Sequence, residues 1–445
     1  MGRPSHTQAL SVWTNGLRVG TWRIGGRSGM ELQYERDWML SPLGRPLSLS
    51  LPFGLDDLPL RGPAVEHYFD NLLPDSDAIR RRIATRFKTG STDAFDLLRA
   101  IGRDCVGSVQ LLGADELPLN VEKIEGLPMA EGEVEQHLLR IVASPSVFDE
   151  QTEVDALRIS LAGAQEKTAL LWHQNQWMRP QGTTPSTHIL KLPLGLVGNR
   201  KVDLRHSVDN EWLCLALLSE YGVPVSEADI LRFGSQRVLA VKRFDRQLHS
   251  SGNWWMRLPQ EDFCQALGLS SHLKYEVDGG PGMKDIAAIL MQSTQAQIDL
   301  RNFMKAQFLF WLLAAPDGHA KNFSIQILPQ GRFKLAPLYD VMSIWPMEGK
   351  GANQWSIHQL KLAMAFQGKN KHYQHKDIRV RHLISSACQC GVTDQAQDLI
   401  DEIIAETAPA IARVQARLPD GISATVVEKT CSGIAASLSR LRKPG

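Results

Sequence analysis

Long apolar stretches are missing from this chain. The longest uninterrupted hydrophobic run, Phe308 to Ala315, has eight residues, far short of the roughly 20 that a membrane-spanning helix needs. The opening Met1-Gly-Arg-Pro-Ser-His6 has no hydrophobic signal core, which argues against secretion, and no Ser or Thr at position 6 to suggest myristoylation. An excess of either charge is missing too. With 49 Lys and Arg against 48 Asp and Glu, the net charge is +1, so the overall balance points to neither nucleic acid nor a membrane surface. Cysteines number six. Three lie in apolar, helix-like contexts and read as small core residues. Cys388-Gln-Cys390 is too tight for a zinc knuckle and has no second pair. The chain therefore reads as cytoplasmic and reduced. Neither G-x-x-x-x-G-K-[ST] nor G-x-G-x-x-G occurs, which excludes the two commonest glycine-loop signatures.

What is present describes a globular protein of two or three domains. The chain has 445 residues, 43% of them hydrophobic and 22% charged, enough to build full cores. An α+β fold is expected. Residues 1–150 read as a β-rich module with helices. Asn15-Gly16, between two β-rich runs, is a strong hairpin signal, and helical patterns cover Val65–Leu73, Ala78–Phe87 and Ala94–Ile101. Residues 151–445 read as a two-lobed, kinase-like part. Its small lobe, about 151–245, has strand patterns at Ala169–Trp172, Thr187–Leu192 and Val238–Val241, and a helix that starts near Asp209 and closes at Gly222 before Pro224. After Glu261 nearly everything reads as helix, apart from one hairpin, and two final helices are expected to kink or break at Pro409 and Pro419.

The chemistry lies in that second part. Asp317 is followed by Asn322 five residues later, and by Asp340 eighteen residues after that. Phosphoryl transfer from ATP needs a carboxylate to orient the attacking hydroxyl, plus an amide and a second carboxylate to hold magnesium. The step D-x-x-x-x-N followed by a metal Asp is the order protein kinases use. The context fits. An apolar helix-like run, Phe303 to Ala315, ends just before Asp317, and two strand-like runs, Phe323–Leu328 and Arg332–Leu335, join at Gln330-Gly331 before Asp340. Lys191 sits in an alternating segment, where a strand lysine facing a cleft can bind phosphates. Glu211, in the first turn of the following helix, is placed to pair with it. A surface lysine and a glutamate favoured by the helix dipole are the plain alternatives. The small residues Ala162, Gly163 and Ala164 precede a strand, and read equally as a phosphate loop or a simple turn. The basic runs Lys369–His382 and Arg80-Arg81-Arg82 read as solvated faces. Ser271-His-Leu-Lys274 and Lys88-Thr-Gly90 match penicillin-binding motifs only by chance, in reversed order and without S-D-N.

The chain resembles the HipA-type serine/threonine kinase toxins of bacterial toxin–antitoxin modules. The resemblance runs nearly end to end, through Arg45-Pro-Leu-Ser-Leu-Ser-Leu-Pro52, Phe69-Asp-Asn-Leu-Leu-Pro-Asp75, Ile101-Gly-Arg-Asp104, Ile159-Ser-Leu-Ala-Gly-Ala-Gln-Glu-Lys-Thr168, Thr187-His-Ile-Leu-Lys191, Leu258-Pro-Gln-Glu-Asp262, Tyr275-Glu-Val-Asp-Gly-Gly-Pro-Gly282 and Asp317-Gly-His-Ala-Lys-Asn322. It implies that Asp317 is the catalytic base and that Asn322 and Asp340 hold Mg2+. Lys191 would contact the ATP phosphates. The loop of Ala162, Gly163, Ala164, Gln165, Glu166 and Lys167 would cover them. Lys242, Arg243 and Phe244 would form the hinge against adenine, and His319, Ala320, Lys321 and Asn322 would complete the nucleotide site. Ser160 matches an autophosphorylation serine, where a phosphate would add about −1.5 to −2 charges and hold the loop from ATP. The implied partners are a HipB-type helix-turn-helix antitoxin and, mainly through it, operator DNA. The implied substrate is a translation component such as glutamyl-tRNA synthetase, whose phosphorylation would arrest growth. The catalytic loop alone does not separate this reading from a small-molecule kinase. A DNA-bound corepressor with weak catalysis is the third reading.

Overall fold

The computed structural model describes residues 8–25, 29–54, 56, 58–142, 165, 167–197 and 201–442. The N-terminal module is built on a five-stranded antiparallel sheet. Its order is Leu60–Arg61, Gly29–Tyr34, Leu17–Gly25, Gln8–Thr14, Gln110–Gly113. The hairpin forms at Asn15-Gly16, both with positive φ (48° and 81°), as a two-residue primed turn requires. Helices Pro63–Asp70 and Ala94–Ile101 pack on the sheet, and Asp77–Phe87 packs against Ala94–Ile101. Helix Ala94–Ile101 buries Ala94, Phe95, Leu97, Leu98 and Ile101, a helical-period stripe facing the core. Trp22 stacks on Phe69 at 3.9 Å between ring centroids and packs against Phe95.

A six-stranded antiparallel sheet follows, ordered Ala228–Phe233, Gln236–Lys242, His188–Lys191, Lys167–His173, Gln176–Pro180, Gly126–Pro128. Its edge strand precedes residue 150, and so does helix Glu131–Val142, whose Val134 and Leu138 pack on Leu170, Leu190 and Val238. The chain thus changes packing partner between Gly113 and Gly126. Strand alternation then decides the faces. Leu190 and Leu192 enter the core beneath helix Glu131–Val142, whereas Lys191 points to the other side. There the nearly all-buried helix Ser207–Glu220 carries Glu211.

The helical lobe is organised around Ala296–Leu312, buried along most of its length by Leu300, Phe303, Met304, Phe308 and their neighbours. Met283–Leu290, Val380–Gln389, Ala396–Gln415 and Ala424–Leu441 surround it. The expected hairpin is present as Ser324–Ile327 and Phe333–Leu335, with Gln260–Asp262 as third strand. One expectation fails. Lys361–Gln367 and Lys371–Gln374 form an antiparallel pair where helix was expected. Leu362 to Phe366 are buried, so a short continuous apolar run here is a covered strand, which periodicity does not separate from helix. Pro419 lies in the break between the last two helices, as expected, and Pro409 lies inside helix Ala396–Gln415.

Candidate active site

The long apolar helix ends at Leu312, and Ala314 turns the chain with φ of 50°. Asp317 follows, then the tight turn Ala320–Asn322. Gly318 is required here, because a Cβ would sit 2.4 Å from the Phe310 ring. The Asn322 amide nitrogen donates to the Asp317 carbonyl at 2.6 Å, which turns the amide oxygen the other way and leaves it available to a ligand. The Asp317 carboxylate is half exposed and accepts the Tyr275 hydroxyl at 2.6 Å. His319 packs edge-on against Tyr275 and lies 3.8 Å from Asp317. Burial holds the His319 imidazole neutral, against the pull of Asp317, and its buried Nδ1 has no partner.

Across the cleft Lys191 donates to Glu211 at 2.7 Å and to Asp340 at 2.9 Å. Burial opposes its charge, but the Asp340 and Glu211 carboxylates outweigh it and lift the lysine above its ordinary value. Burial likewise works against the Asp340 charge, yet Lys191 and Lys167 bring that carboxyl down to about 2. Burial lifts Glu211, with Lys191 pulling the other way. Lys167 is paired in register with Lys191 on the neighbouring strand, and burial followed by Lys191 brings it down to about 8. Asp340 has φ of 59°, a left-handed conformation that Asp tolerates better than most residues and that costs of order 1–3 kcal/mol.

Several expected site residues thus come together: Lys167, Lys191, Glu211 and Asp340 on one wall, Asp317, His319, Ala320 and Asn322 on the loop. Gln165 donates to the Leu192 carbonyl at 2.7 Å. Phe244 stacks on Tyr339, and exposed Lys242 pairs with Glu227. Two side chains go elsewhere. Arg243 is buried against Asp104 and Asp245, and Lys321 is held by Asn71 and Asp262. A guanidinium or ammonium left without carboxylates in the interior is too costly to sit there otherwise. Ser160, Ala162, Gly163, Ala164 and Glu166 lie outside the described residues. Tyr275, Asn71 and Asp75 had no role assigned from the sequence. The only signal for them was their place in the unusual runs Phe69–Asp75 and Tyr275–Gly282.

Among the described residues no cluster of three or more His, Cys, Asp or Glu is arranged for a metal. Magnesium does not need one. It binds through one or two protein oxygens plus the substrate's phosphates, and the Asn322 amide oxygen and the partly open Asp340 carboxylate fit that donor set. Likewise no helix among the described residues is long and apolar enough to cross a membrane.

A sheet-rich lobe, a helical lobe and a lysine–glutamate–aspartate cluster between them define an α+β, two-lobed, kinase-like protein. The chain belongs to the HipA-like family: residues 159–411 match the HipA-like C-terminal domain and residues 10–112 the HipA N-terminal domain. It is 30% identical over 342 residues, 76% of this chain and 77% of the relative, to a Sinorhizobium fredii protein whose name proposes a kinase. It is 29% identical over 350 residues, 76% of each chain, to the serine/threonine-protein kinase toxin HipA of Shewanella oneidensis. The fold matches HipA in the Shewanella oneidensis complex of HipA, HipB and operator DNA, with a TM-score of 0.78, 23% identity and 97% of both chains covered.

Proposed function

We propose that this protein is an ATP- and Mg2+-dependent serine/threonine protein kinase acting as the toxin of a toxin–antitoxin pair. One observation carries the reading. Buried Lys191 bridges buried Glu211 and the partly open Asp340, while the loop opposite offers an accessible carboxylate at Asp317. Asp317 takes the proton of the substrate hydroxyl as its oxygen attacks the terminal phosphorus, and the bond from that phosphorus to the ADP oxygen breaks. Lys191, held by Glu211, binds the phosphates, and Phe244 borders the adenine. Asn322 and Asp340 would hold Mg2+, which neutralises phosphate charge when bound.

The similarity to HipA supports a HipB-type antitoxin as partner, operator DNA bound mainly through it, and corepression of the operon. Glutamyl-tRNA synthetase is the proposed substrate and growth arrest the proposed outcome, with phosphorylation of Ser160 switching the enzyme off. A cytoplasmic location goes with this reading. Incubation with ATP labelled at the terminal phosphate should put label on protein serine or threonine, including one phosphate on the chain itself by intact mass. Label found only on a small metabolite would overturn it in favour of small-molecule phosphorylation. ATP binding with no turnover would leave a corepressor.

A further inference from the structure

The N-terminal module reaches the catalytic loop through two lysines. Lys321, between Ala320 and Asn322, donates to the Asn71 carbonyl at 3.2 Å, to Asn71 Oδ1 at 2.7 Å and to Asp262 Oδ2 at 3.0 Å. Lys274 donates to Asp75 Oδ2 at 2.8 Å, and the other oxygen of Asp75 lies 3.9 Å from Lys321. Asn71 and Lys321 are 1% and 6% exposed. Lys274 is tied to the loop as well. Its carbonyl accepts the Ala320 amide at 3.1 Å, and the next residue, Tyr275, donates to Asp317. Asn71 and Asp75 therefore stand one lysine away from Asn322 on one side and from the phenol that holds Asp317 on the other.

A buried ammonium stays charged only where its partners stay put, and removing one partner of such a pair costs far more than an exposed ion pair contributes. The loop conformation that presents Asp317 and Asn322 is thus coupled to the docked module. We propose that Asn71 and Asp75 are positioning residues for phosphoryl transfer, supplied to the catalytic loop by the N-terminal module. The rate effects rest on the kinase reading above. The structural coupling does not.

If these contacts only docked the module, their loss would lower stability and leave turnover per folded molecule unchanged. Positioning separates kcat from nucleotide affinity. In the full chain, Asp75→Asn is expected to lower kcat roughly 10- to 100-fold while binding of a non-hydrolysable ATP analogue stays within about twofold. Amide hydrogen exchange at Ala320 and Asn322 should speed up, and Asp75→Glu should recover part of the rate. Where Asp75→Asn fails to fold, Lys274→Gln removes the same pair from the other side. Unchanged kcat and unchanged exchange in a folded variant would overturn the proposal, as would a rate loss that only tracks the unfolded fraction. Should the wild type transfer no phosphate at all, the kinase reading falls, and the exchange comparison alone decides the coupling.

Discussion

Where the N-terminal module meets the segment after strand Gln236–Lys242, Asp104 and Asp245 face Arg243, Arg246 and Arg257, every side chain 6% exposed or less. In the cleft Lys191 faces Glu211 and Asp340, but Asp340 is 30% exposed and Asp317 52%. Both clusters hold buried charge, and they differ in what their carboxylates still have to give. Asp104 accepts from the Ser186 amide and hydroxyl besides its arginines, and Asp245 accepts from the Gly107 amide. Those oxygens are saturated by the protein. In the cleft, Asp340 and Asp317 keep a face open. A closed charge cluster fixes the parts of the molecule against each other, whereas an open one awaits a charged ligand.

Breaking each cluster should therefore fail in a different way. In the cleft, Asp317→Asn should lower phosphoryl transfer roughly 10²- to 10⁴-fold and leave the melting temperature unchanged, checked by initial rates beside thermal unfolding. At the junction, Asp104→Ala leaves Arg243 and Arg246 with Asp245 and takes from Arg257 its carboxylate partner. It should cost about 3–5 kcal/mol of stability in urea unfolding. Acid sharpens the contrast. His137, His188 and His375 are held neutral, mainly by burial, with pKa values brought down to about 3, 4 and 4. The unfolded chain takes up protons below pH about 6.5 while the folded protein does not. Stability should fall from about pH 6.5 towards pH 4, by at most about 1.4 kcal/mol per pH unit for each histidine. Asp340 behaves the other way in origin: its depressed pKa gives a contribution present above the ordinary carboxylate value and lost only as pH falls towards 2, so acid should weaken the folded protein before it breaks the triad. The smallest effect belongs to the exposed pair of Lys242 and Glu227. Lys242→Ala should change stability by less than about 1 kcal/mol.

Much of this was legible in the sequence because local signals agreed with the fold. Asn15-Gly16 makes a hairpin under any packing, alternation around Lys191 sets its face, and the helix–loop–hairpin order around Asp317 survives intact. Lys361–Gln374 was not legible, because its apolar residues are buried on both faces and carry no period of two. The destinations of Arg243 and Lys321 were hidden for another reason. Beside the nearer Asp245 and Asp262, each is held by a residue more than a hundred positions away, Asp104 and Asn71, and no local pattern specifies a contact at that separation. Tyr275 was missed likewise: an isolated tyrosine gives no sign that its hydroxyl meets a carboxylate 42 positions on.

Titration of a non-hydrolysable ATP analogue, with and without magnesium, tests the convergence of these groups most directly. The account predicts that wild type and Asp317→Asn bind alike, and that Asp340→Asn loses the magnesium-dependent gain in affinity. Equal, magnesium-responsive binding by Asp340→Asn would contradict it.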